Sequence, residues 1–61
     1  MEKMKVYLAV CIINGKAEVN QIAERYFNDY GWRLRMQEKA AEGGSRIYFT
    51  ETEIIVDVKN D

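Results

Sequence analysis

Between Lys3 and Ile13 apolar and polar residues alternate with a period of two. Met4, Val6, Leu8, Val10 and Ile12 fall on one face, and Lys3, Lys5, Tyr7, Ala9, Cys11 and Ile13 on the other. The second face turns apolar towards its end. This predicts a strand with neighbours on both sides whose later half is covered on both faces, with a second subunit as one candidate cover. Asn14-Gly15 is a turn signal, after which the period changes to 3.6. Val19, Ile22, Ala23, Tyr26, Phe27 and Tyr30 form one stripe at helical spacing, opposite Glu18, Asn20, Gln21, Glu24, Arg25 and Asn28. The spacing predicts a helix that starts near Gly15 or Lys16 and stops at Gly31.

Beyond Gly31 the period returns to two, with Trp32, Leu34 and Met36 on one side and Arg33, Arg35, Gln37 and Lys39 on the other. Glu42-Gly43-Gly44-Ser45 reads as a hairpin connection, because glycines supply the positive φ that tight turns need. The returning strand begins at Arg46, with Ile47 and Phe49 as its inner face. At Glu51-Thr52-Glu53 the alternation slips by one, since Ile54, Val56 and Val58 have the opposite parity. Either a β-bulge switches the faces there, or a short turn opens a fourth strand.

The expected fold is therefore α+β in the order β-α-β-β. One helix packs on a three-stranded antiparallel sheet, four-stranded if the slip is a turn. The inner face would be lined by Val6, Leu8, Val10, Trp32, Leu34, Met36, Ile47 and Phe49, and the other sheet face would be left uncovered. The helix running into Gly31-Trp32-Arg33-Leu34 resembles small bacterial and phage domains of unknown function that have a strand, a helix, a Gly-Trp step and a hairpin. The resemblance spans about fifty residues. It implies the topology and no activity.

Length changes this picture. A single domain over residues 1–61 buries only about 60% of the surface its unfolded chain exposes, which leaves little net stability for a monomer. One cysteine and no histidine exclude an internal disulfide and any standard zinc site. Association is the remedy left, so a homodimer is expected. The apolar C-terminal run Ile54, Val56 and Val58 is the expected dimer interface, because β-branched residues on a free edge promote aggregation. The longest apolar run, Val6 to Ile13, is too short to cross a bilayer, which takes about 20 residues. It also lacks a signal-peptide cleavage site. These features, with Cys11 as a core thiol, lead to the expectation of a cytoplasmic protein without membrane contact.

Candidate chemistry is sparse. Ser45, the single serine, has no histidine to act as its base and lies in a turn. Glu51 and Glu53 alternate onto one strand face beside threonines, where a solvated edge explains them better than acid–base work. No glycine loop opens a helix to hold phosphate, and the acids lack calcium-loop spacing. An enzyme, a cofactor and a metal are not expected. A binding surface is the stronger signal. On the predicted parities the outer sheet face presents Lys3, Lys5, Arg33, Arg35, Lys39 and Arg46, interleaved with Tyr7 and Tyr48, and the candidate binding residues are Arg33, Arg35, Arg46, Tyr7, Tyr48 and Lys5. Basic groups beside aromatic rings suit single-stranded nucleic acid. The net charge of −1 and the acidic last fifteen residues favour a protein partner instead. The reading is a non-enzymatic, homodimeric protein that binds another protein, of the kind phages and mobile elements use to inhibit a host factor. A nucleic-acid-binding regulator is the alternative.

Overall fold

The structure is a computed structural model and describes residues 1–57. It is α+β, with a three-stranded antiparallel sheet and two helices. The elements are β1 (Glu2–Ile13), β2 (Lys16–Ile22), α1 (Glu24–Phe27), α2 (Tyr30–Glu42) and β3 (Arg46–Val56). The order is thus β-β-α-α-β, which corrects the expected β-α-β-β. As predicted, β1 has a neighbour on each side, the sheet order being β2-β1-β3. Because β1 runs antiparallel to both neighbours, β2 and β3 run parallel to one another on its flanks.

The first correction begins at Asn14-Gly15. Both residues have positive φ, 51° and 75°, as a two-residue hairpin turn requires, and β1 folds straight back onto β2 with Ile13 opposite Lys16 and Tyr7 opposite Ile22. The stripe Val19-Ile22-Tyr26 is real as a spacing, but a tight hairpin offers residues 16–22 a complete hydrogen-bonding partner at once. The helical content of the stripe starts only at Glu24, in the single turn of α1.

The second correction is that Trp32-Leu34-Met36 lies on a helix. Asp29 caps it, its side chain accepting a hydrogen bond from the Trp32 amide at 3.0 Å. From Leu34 to Glu42 every residue is a strong helix former and none is β-branched, and that preference outweighs the short alternation. Gly43-Gly44 ends this helix instead of joining two strands. The Ser45 amide donates to the Ala40 carbonyl at 2.8 Å and the Gly44 amide to that of Ala41 at 3.1 Å, with Gly44 in the left-handed region at φ 79°. This paired closure satisfies carbonyls that the last turn would otherwise leave open. The Ser45 hydroxyl adds a third bond, also to Ala40.

The third correction concerns the parity slip. β3 keeps one register against β1 from Arg46 opposite Ile12 to Val56 opposite Glu2, so neither a bulge nor a fourth strand forms at Glu51–Glu53. The apolar positions change face while the strand stays regular. Ile47 and Phe49 lie where the helices cover the sheet; Ile54 and Val56 lie beyond that cover and point to the other side.

The fold is thin. Ala9 is the one buried residue among those described, at 7% exposure. The radius of gyration is 14.3 Å, against about 10.5 Å for a compact domain of this length. Its surface of 5125 Å² exceeds the roughly 4,100 Å² of a compact monomer of 7.1 kDa. No described helix is long and apolar enough to cross a membrane.

Candidate functional surfaces

The two faces of the sheet are fixed by register. Tyr7, Ala9 and Cys11 share a face with Ile22 of β2 and with Ile47 and Phe49 of β3. The helices cover this face, which corrects the expectation that the Val6/Leu8/Val10 side would be inner. Phe27 of α1 lies over Tyr7 with ring centroids 4.9 Å apart, and Trp32 of α2 over Phe49 at 5.6 Å. Tyr26 extends the row, 5.0 Å from Trp32. Small side chains at Ala9 and Cys11 let these rings approach the strands. The contact between helices and sheet is therefore a single layer of tilted aromatic pairs, each contributing about 0.5–1.5 kcal/mol beyond its buried area.

The opposite face is uncovered. Its centre is the β1 row Met4, Val6, Leu8, Val10 and Ile12. Beside that row stand Ala17, Val19 and Gln21 of β2, and Tyr48, Thr50, Thr52, Ile54 and Val56 of β3. Val19 is 58% exposed and Tyr48 52%. Among the described residues, charge on this face lies only at its two ends, Arg46 opposite Ile12 and Glu2 opposite Val56. Ile54 and Val56, expected in a dimer contact, both fall on this uncovered face. Val58 lies outside the described residues.

The basic residues do not gather on the sheet as expected. Arg33, Arg35 and Lys39 are on α2, Arg46 is at one end of the uncovered face, and Lys3 and Lys5 lie on the opposite side of β1. Lys5 sits 4.0 Å from the Glu51 carboxylate, an exposed pair worth under about 1 kcal/mol. Tyr7 and Tyr48 are on different faces. Tyr7 is drawn into the covered layer, and its partial burial, reinforced by the Glu24 carboxylate, pushes its phenol above the usual tyrosine range.

The helices bring together residues that alternation alone had separated. The Arg33 guanidinium lies 5.5 Å from the Phe27 ring and 5.7 Å from that of Tyr30, and Arg25 lies 4.9 Å over Tyr26. Tyr30 is exposed, as are Tyr26 and Leu34. Arg33 thus joins Phe27 of α1 to Tyr30 of α2, while Arg25 and Tyr26 pair within α1; the proximity of Arg33 to Phe27 is legible only once Asp29 is seen as a helix cap. A shallow groove between α2 and β3 is lined by Gln37, Ala41, Ser45, Arg46, Ile47 and Tyr48. Among the described residues no group of three acidic, histidine or cysteine side chains could hold a metal ion. No family model, curated protein or solved structure matches the chain.

Proposed function

We propose that this chain is a non-enzymatic binding protein that works as a homodimer and recognises another protein. The observation that carries this reading is the missing core: among the described residues one is buried, and an apolar sheet face lies open to water. Exposed apolar patches of that extent mark interaction surfaces. Self-association accounts for one side of the sheet. It leaves the helices outward, and their Arg25–Tyr26 and Tyr30–Arg33 pairs have the aromatic and arginine composition enriched at interface hot spots. An occluding role, of the kind phage and mobile-element proteins play against host factors, suits a scaffold of this size whose described side chains form no nucleophile–base pair. Nucleic acid has less support, because the cations expected on one sheet face lie in three separate places.

The test is capture from a lysate of the organism that encodes the chain, using the unaltered protein and a Tyr30→Ala/Arg33→Glu variant as paired baits. The reading expects a discrete protein retained by the first and lost at least tenfold with the second, while the bait's own oligomeric mass is unchanged. Equal recovery with both baits would exclude the helical cluster as the recognition surface.

A further inference from the structure

The open sheet face has two charged ends of opposite sign, and that polarity constrains what can cover it. We propose that two copies of the chain stack these faces directly, β1 over β1, about a two-fold axis that lies in the interface and runs perpendicular to the strands. The inference rests on the homodimer reading above and specifies its interface.

Three observations converge on a second copy as the occupant. The surface of 5125 Å² exceeds that of a compact monomer of this mass by roughly 1,000 Å², close to the ~800 Å² per partner that a standard stable interface buries. The row Met4, Val6, Leu8, Val10 and Ile12 is centred on Leu8, so reversing it places Leu8 on Leu8, Val10 on Val6 and Ile12 on Met4, aliphatic against aliphatic throughout. The ends then match in charge. A perpendicular axis reverses strand direction and lays the Arg46 end of each copy over the end of the other that carries Glu2. The alternative axis, parallel to the strands, would bring both Arg46 residues to one end and both Glu2 residues to the other. Like-charge juxtaposition disfavours that arrangement, and opposite charges fix the register of this one. The product is a helix–sheet–sheet–helix stack with the two sheets about 10 Å apart and the aromatic layer of each copy on the outside.

Mass and position can be tested separately. Tyr48 is on the open face and Ile55 on the opposite one, and both are already exposed in the single chain, so neither needs to be buried for the chain to fold. In sedimentation equilibrium Tyr48→Glu should weaken the dimer at least tenfold and Ile55→Glu should leave it unchanged. In a Cys11→Ser background, Gln21→Cys tests the axis, because Gln21 stands level with Leu8. About the perpendicular axis it faces its own copy across the gap, and a bis-maleimide spanning ~10 Å should link the two. About the parallel axis it would face Thr50 of the second copy, which also stands level with Leu8. Self-linking of Gln21→Cys supports the proposal even if Tyr48→Glu fails to fold. Linking only between Gln21→Cys and Thr50→Cys chains overturns the orientation. A dimer that survives Tyr48→Glu and does not crosslink overturns the face while leaving the homodimer standing, and a parent chain that is monomeric at all concentrations removes both.

Discussion

The two faces of the sheet are built from the same three strands, yet they meet opposite fates. On one, small residues at Ala9 and Cys11 admit a cover of aromatic rings; on the other, a row of larger aliphatics at Val6, Leu8, Val10 and Ile12 is met by no helix among the described residues. Side-chain hydrophobicity is therefore not what decides which face a helix covers. The connection decides it. β2 and β3 lie on either side of β1, and the chain that joins them must cross one face, taking α1 and α2 with it. The face left behind is no less apolar, and it is the face on which the proposed dimer rests.

Substitutions on the two faces should fail in different ways. The largest effect is expected on the covered side. Trp32 bridges Tyr26 and Phe49, and Trp32→Ala should cost about 3–5 kcal/mol, enough to abolish the far-ultraviolet helical signal at every protein concentration. A variant with an unchanged thermal midpoint would show that the aromatic layer does not hold the helices down. On the open side Leu8→Ala should leave the spectrum of the chain close to native and act on association, raising the dimer dissociation constant by about tenfold or more, about 1.4 kcal/mol. If it instead destabilises independently of concentration, the two faces are energetically alike and the contrast drawn here fails.

Smaller effects sharpen the account of why the crossing segment is helical. Asp29→Ala removes the cap on α2 and should cost about 1 kcal/mol, measured by urea unfolding. Gly44→Ala should cost a similar amount, about 1–2 kcal/mol, through backbone strain alone, since a Cβ there meets no atom within 4 Å. The smallest signal is Tyr7. Its raised phenol pKa means that the folded state favours the protonated form. The associated stability is present below the ordinary tyrosine pKa of about 10 and is lost as pH rises through the higher folded value. Ultraviolet titration should find a tyrosine ionising above the ordinary range, and Tyr7→Phe should remove that late step.

Part of this layout can be read from the chain before its structure is known. The alternation of residues 3–13 identifies β1, its central place in the sheet and the membership of its two faces. What misleads is treating short periodic runs as decisive. Val19-Ile22-Ala23 has helical spacing, yet the Asn14-Gly15 turn pairs residues 16–22 with β1, so Val19 and Ile22 take strand conformation. Trp32-Leu34-Met36 alternates, yet three apolar positions weigh less than a nine-residue run of helix formers behind an aspartate cap. The slip at Glu51–Glu53 was visible as a change of parity. Its cause, a strand leaving the shelter of the helices, is a tertiary fact that no local window contains. The expected binding face fails for the same reason: Arg33 and Arg35 were placed on the sheet by a period, and the helix moved both. Ile54 and Val56, too apolar in sequence for a free edge, fall on the uncovered face.

The central claim is that the sheet of this chain is completed by a second copy. Sedimentation equilibrium across a concentration series measures it most directly. The account predicts a mass twice 7.1 kDa at micromolar concentration, falling towards the single-chain value on dilution. A single-chain mass at every concentration, with the native spectrum retained, would contradict it.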